Sequence, residues 1–405
     1  MSDTENTAPS ELKKPDEKDD VKDNGNVVAS NPSPFSSSPI VEPFEPAFTN
    51  VCVCDATKDG DVVKYSVTCN RTSGGGQKYD VIRQYEDFEW LSHCILTHNN
   101  TYGIIAPPLP PKPIVEPKTA ERQSREQLGT TSRLVKADDY MKDCRNLEKY
   151  LKLVITHWAF GKDKTLDDFL TCTESLNTAK VKKGIFGRLT SSIDQARKFS
   201  RKDIDDYFQK ERDWLATYSQ YLHEASRNFN KNVYATLRLS IAYSHLATAM
   251  SLGASSYADE NSAFINKLCA KLGEAYEDMK QGLEVDYINE DNTLGFQLDL
   301  YARYLDSEKE MQFKRLCLMT EYEDAIKACE KAKPQKRAAA EEAKQIAEKV
   351  YEQCSDRARS ELKAFHQQRL FALQDGIVQY ADAKIKTARD TYALLAKTLT
   401  AIKQL

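Results

Sequence analysis

The spacing of apolar residues changes its period along the chain, and each change marks an element. Asn50–Asp55 and Val62–Arg71 alternate apolar and polar positions, as half-buried strands do, and Asp59-Gly60-Asp61 supplies a turn between them. After the loop Ser73-Gly74-Gly75-Gly76, Lys78–Tyr85 alternates again, so three consecutive strands predict an antiparallel meander. From Asp87 onward Phe88, Leu91, Ile95 and Leu96 fall at helical spacing. The run from Ala106 to Pro113 must be extended, because proline fixes its own backbone and restricts the residue before it. Thr119–Leu128 and Arg133–Cys144 read as polar helices on either side of Gly129-Thr130-Thr131-Ser132, a turn plus cap that predicts a helical hairpin. Leu147–His157 is an apolar helix and Leu166–Cys172 a short one.

From Asp203 the helical period runs to the C-terminus with two breaks, Leu252-Gly253-Ala254-Ser255-Ser256 and Lys333-Pro334. The three predicted segments, 203–250, 258–332 and 335–404, would each extend roughly 70–110 Å at 1.5 Å per residue. In the third, Val350, Ala358, Leu362, Phe365, Leu373, Ile377, Tyr380, Ile385, Ala388, Tyr392, Leu395 and Leu399 recur mainly at steps of three, four and seven, which makes an apolar stripe. Bulky aromatics in the first segment (Phe208, Trp214, Tyr218, Tyr221, Phe229, Tyr234) suit a thick bundle better than a two-stranded seam.

Composition fits this picture. The 405 residues are 29% charged and 40% hydrophobic, with a mean hydropathy of −0.61, as expected of long solvated helices. Residues 1–45 are rich in Ser, Pro, Asn, Asp, Glu and Lys and predict a disordered tail. The start of the chain has no apolar core of a secretory signal, and no run of about 18 apolar residues predicts a bilayer span. A net charge of −4 gives no reason to expect nucleic acid. Ten scattered cysteines with no C-x-x-C pair predict free thiols in a reducing cytoplasm rather than disulfides or a zinc site. The six histidines, His93, His98, His157, His223, His245 and His366, lie in no metalloprotease or nucleophile motif, and no P-loop or dinucleotide fingerprint occurs. The expectation is a non-enzyme with no cofactor and no metal.

Arg83-Gln84-Tyr85-Glu86-Asp87-Phe88-x-Trp90-Leu91, then Pro107-x-x-Pro110-x-Lys112, then Leu147-Glu148-x-Tyr150-Leu151 resemble, in that order, the signature of a PX (phox-homology) domain. With three long helices behind it, the chain from about residue 45 to 405 resembles the PX-BAR sorting nexins. Gln84 before the Tyr and a helical hairpin after the Pro loop point, within that family, to the sorting nexin five and six branch. The resemblance implies a tail (1–45), an α+β PX domain (46–176) and a linker (177–202), then an all-α three-helix BAR bundle (203–405) that dimerises. It also implies early-endosome membranes and tubules, a sorting nexin one/two type partner as heterodimer, retrieval of receptor cytoplasmic tails toward the Golgi, retromer, and dynactin-driven transport.

A typical PX pocket of the family grips phosphoinositide head groups with an Arg before the Tyr, the Tyr as stacking floor, a Lys after the Pro loop and an Arg on the last large helix. Arg suits this because its planar fork bonds two phosphate oxygens at once. Here those places hold Gln84, Tyr85, Lys112 and Asp143, with Arg145 the nearest substitute by a shift of register. Losing two charge-assisted bonds of about 1.5–3 kcal/mol each would weaken binding by roughly two to four decades. The five/six branch implies instead that a cargo tail adds to the edge of the first strand at Val51 and Val53, beside Tyr140 of the hairpin. Ile185, Phe186, Leu189 and Ile193 share one helical face flanked by Lys182, Lys183 and Arg188; this reads as a helix lying in an anionic membrane surface, or as a connector packed on the bundle. Lys331, Lys333, Lys336 and Arg337 cluster at the predicted second turn of the bundle, as a membrane-touching tip or a solvated turn. Three readings stand: a curvature-sensing cargo adaptor, a phosphoinositide reader, and a coiled-coil scaffold that binds only proteins.

Overall fold

The computed structural model describes residues 44–73, 76–129, 140–174, 176, 201–253 and 260–405, with side chains in the last stretch from 262. The chain divides into Met1–Pro43, outside the described residues, and Phe44–Leu405. Strands β1 (Phe48–Asp59), β2 (Val62–Arg71) and β3 (Lys78–Gln84) form an antiparallel sheet in the order β1-β2-β3. The alternation in β2 is strict: Val63, Tyr65, Val67 and Cys69 all face inward. In β1 the buried residues are Phe48, Val51 and Val53, a step of three and then of two. The odd step is absorbed by a register shift between Thr49 and Cys52, where Asn50 takes φ +51°; a bulge of this kind returns the following valines to the inner face.

Helix α1 (Tyr85–His98) begins where β3 ends, at a capping box in which Asp87 Oδ2 accepts from the Gln84 backbone N–H at 2.7 Å. Helices α2 (Pro117–Leu128), α3 (Met141–Thr156) and α4 (Lys164–Thr171) follow. Phe88, Leu91, Leu147, Leu151, Leu166 and Phe169 close over the sheet. Sequence reading separates Arg133–Cys144 from Leu147–His157; in the structure Cys144 and Leu147 belong to the one helix α3, so the apolar face starts a turn earlier. The expected arm before Met141 falls mostly on residues 130–139, outside the described residues.

The helical region has α5 (Asp206–Gly253), α6 (Glu260–Glu290) continuing through a π turn (Asp291–Gly295) into α7 (Phe296–Glu330), and α8 (Arg337–Lys403). These match the three predicted segments, and at 67 residues α8 is about 100 Å long. Phe208 and Leu215 of α5, Tyr304 and Leu305 of α7, and Leu362 and Phe365 of α8 form its core. Ile105 and Leu153 of the α+β domain insert into that same cluster.

The two halves are joined by specific contacts. Gly103 (φ +77°) lies so close to α8 that a Cβ there would sit 2.5 Å from the Cys354 carbonyl oxygen. Glu361 of α8 meets His157 Nε2 at 3.2 Å, Trp158 Nε1 at 3.4 Å and the Ile105 N–H at 3.4 Å. Asp291, in the π turn, pairs with Lys142 at 2.6 Å. π turns inside long helices re-aim side chains, and this one turns a carboxylate toward α3.

Candidate functional site

Gln84 spends its place capping α1, and Arg83, one residue earlier, points into the opposite layer. The Arg83 guanidinium donates to the carbonyls of Phe169 (2.9 Å) and Cys172 (2.5 Å) and is buried. It locks α4 to β3 and has no path to a phosphate. Tyr85 is also buried: its hydroxyl donates to the Pro110 carbonyl at 2.6 Å, so it pins the Pro loop and offers no open stacking floor. Lys112 remains on the surface, but its ammonium bonds Glu86 Oε1 at 2.5 Å. That bond raises the Lys112 pKa despite some desolvation, and it holds the Glu86 carboxyl below its ordinary value against the opposing effect of burial.

Arg145 as a stand-in for the missing arginine is corrected by the structure. It turns toward the helical region, 3.5 Å from Asp291 and beside Lys142, because that half-buried carboxylate is the nearest anion. Asp143 lines a cavity of about 370 Å³ with Lys112, Tyr140, Asn146, Tyr234 and Asp299. Among the described residues the cavity therefore offers mixed charge and no arginine, which is a poor host for a polyphosphate.

For the cargo surface, β1 is an outer strand, but the Val51 and Val53 side chains are buried in the domain core. Only their backbone could meet an added strand. The Val53 N–H already donates to Glu148 Oε2 of α3 at 3.1 Å, and Lys152 bonds the other oxygen of that carboxylate. An incoming strand must displace Glu148. Tyr140 is buried at the start of α3 and reaches the cavity rather than the β1 edge. Ile185, Phe186, Leu189, Ile193, Lys182, Lys183 and Arg188 lie outside the described residues. Lys331, Lys333, Lys336 and Arg337 stand exposed around the short Pro334–Lys336 turn, and none of the four has an ion pair among the described residues.

The long helices also leave apolar surface uncovered. Phe371 (67% exposed), Val378, Ile385, Tyr392 (75%) and Leu399 recur every seventh residue along α8, with Leu370 and Ile377 beside them. Part of the stripe read as core from the sequence thus faces outward, and a row of this length, roughly 42 Å at 1.5 Å per residue, marks an interface with another chain.

A PX domain family signature matches residues 71–173. Sorting nexin-32 of Mus musculus is 26% identical over 382 residues, spanning 87% of this chain and 92% of that protein. Sorting nexin-6 of Pongo abelii is 26% identical over 381 residues, spanning 88% and 92%. The chain carries a PX domain and is similar to PX-BAR sorting nexins along most of its length. Its likeness to sorting nexin-6 supports the five/six branch. The structure "The cryo-EM structure of the SNX-BAR Mvp1 tetramer" shares the fold, with a TM-score of 0.54 at 15% identity, covering 87% of this chain and all of that one. Sorting nexins of this layout are non-enzymatic, peripheral membrane adaptors in endosomal sorting and membrane remodelling; their PX domain implies phosphoinositide membranes and their BAR helices imply dimerisation. No helix among the described residues is long and apolar enough to cross a membrane.

Sequence reasoning missed the contacts that hold the PX domain against the long helices. Asp291, Glu361 and Arg357 contact residues 146–257 positions away in the chain, and no local motif carries such a pairing.

Proposed function

We propose that this sorting nexin is an early-endosomal adaptor that shapes tubules as a BAR dimer and retrieves cargo toward the Golgi. In this reading its PX domain holds receptor tails along β1 instead of gripping one phosphoinositide. The observation that carries it is the charge around Lys112, which is bound to Glu86 and shares its cavity with the acidic Asp143 and Asp299. Membrane attraction then rests on the tip cations Lys331, Lys333, Lys336 and Arg337 and on the 177–202 segment, each basic residue near an anionic surface adding about 1 kcal/mol. The family resemblance supports a sorting nexin one/two type partner and links to retromer and dynactin. Flotation of the full chain with its dimer partner on vesicles of graded diameter tests this. Binding should follow curvature and total anionic charge. A strict requirement for one phosphoinositide would make the protein a head-group reader, and tail-peptide binding with no vesicle binding would make it a protein-only scaffold.

A further inference from the structure

In the helical core, side chains from three helices converge: a carboxylate oxygen of Glu211 (α5), one of Glu308 (α7) and a ring nitrogen of His366 (α8) lie within 4.8 Å of one another, and Glu211 Oε2, Glu308 Oε2 and His366 Nε2 are the atoms left without a hydrogen bond. All three are sealed from solvent, and none has a hydrogen-bond partner. Glu308 is 0% exposed, and only its other oxygen is satisfied, by Gln312 Nε2 at 3.2 Å. Leaving an acceptor buried and unmet costs about 1–3 kcal/mol, and more when it is charged. Three such atoms aimed at one point describe a hole for a cation. We propose that Glu211, Glu308 and His366 bind one divalent transition-metal ion of the zinc class, tying the three long helices together.

The donor set fits. One imidazole and two carboxylates are borderline-hard ligands suited to Zn²⁺, with neighbours such as Mn²⁺ and Fe²⁺ following in the order of divalent affinity. His366 Nε2 and Glu211 Oε2 lie 3.5 Å apart, close to the separation of about 3.4 Å for two ligands at roughly 2.1 Å on a tetrahedral ion. Glu308 needs to close by about an ångström, within the reach of one rotamer adjustment.

Arg369 is the nearby cation, but its guanidinium lies over Trp214 (4.7 Å) and Tyr218 (4.8 Å), its Nη1 is itself unpartnered, and it pairs with neither carboxylate among the described residues. It occupies aromatic faces and leaves the gap between the acceptors open.

The test uses the full chain, stripped with a chelator and titrated with Zn²⁺ by calorimetry, with bound metal counted by mass spectrometry. The expected result is one tight ion per chain, a higher unfolding temperature with metal, and affinity lowered at least about tenfold in Glu308→Gln and in His366→Gln. If either variant fails to fold, Glu211→Gln, whose side chain is less buried than that of Glu308, carries the same expectation. Because the chain has ten cysteines, a Co²⁺ spectrum assigns the ligands: nitrogen and oxygen ligation without a thiolate charge-transfer band supports the site. A thiolate band, no binding, or affinity unchanged in all three variants overturns it.

Discussion

Gly103 offers the sharpest test of how the PX domain is seated on the long helices. Alanine there meets two separable penalties. The backbone sits at φ +77°, and forcing an L-residue into the left-handed region costs about 1–2 kcal/mol. The new methyl would also stand 2.5 Å from the Cys354 carbonyl oxygen, 2.9 Å from the Ala358 nitrogen and 3.2 Å from Arg357 Cβ. Two of these are helical backbone and cannot swing aside, so the domain must back away, at an overpacking cost of about 1–3 kcal/mol. The sum is about 2–5 kcal/mol. Gly60 supplies the control: φ is +63°, yet no atom lies within 4 Å of where its Cβ would be, so Gly60→Ala carries only the backbone cost. Urea unfolding of both variants should therefore separate them by about 1–3 kcal/mol. Hydrogen exchange should rise around 354–358 of α8 only in Gly103→Ala, because Arg357 also donates to the Asn100 and Tyr102 carbonyls and loosens with them. Equal destabilisation of the two variants, or unchanged exchange in α8, would refute the close seating.

Three further expectations follow from named contacts. Arg315 is 1% exposed and binds Asp203 at 2.6 Å, Tyr351 at 2.7 Å and Ser355 at 2.9 Å, so Arg315→Leu strands a buried carboxylate and should cost about 3–5 kcal/mol; adding Asp203→Leu should recover much of that loss in a double-mutant cycle by urea unfolding. Phe371→Glu with Tyr392→Glu puts charge on the exposed α8 row and should convert a dimer to monomer by light scattering while the circular dichroism of the chain stays helical. Gln84→Arg with Asp143→Arg should restore head-group affinity by roughly two to four decades in a calorimetric titration, each charge-assisted bond adding about 1.5–3 kcal/mol; full recovery from Gln84→Arg alone would show that Asp143 matters little.

Both Arg83 and Gln84 show how far a local pattern reaches. Alternation along β3 placed them on opposite faces, and they are, since a pleated strand has no other option at that spacing. What the alternation does not carry is the partner: Arg83 finds the carbonyls at the end of α4, 86 and 89 positions later, and Gln84 finds Asp87. Tyr85 and Lys112 were legible as family positions, yet whether they stand open was decided by Pro110 and Glu86 folding across them. Arg145 was misplaced because the register of a helix says which way a side chain leaves the axis but not which carboxylate waits there, and Asp291 arrives from a π turn 146 positions on.

By itself the sequence determined the strand meander, the long helices, their breaks and the loss of phosphate-gripping arginines, because period, proline, glycine and charge act over a few residues. The tertiary structure alone decided which apolar stripe is buried and which awaits a second chain, how the PX domain is fastened, and that Glu211, Glu308 and His366 meet. Those outcomes depend on pairs far apart in the chain, with Glu211, Glu308 and His366 separated by 58, 97 and 155 positions, and only the packing of whole helices brings such pairs within a few ångströms.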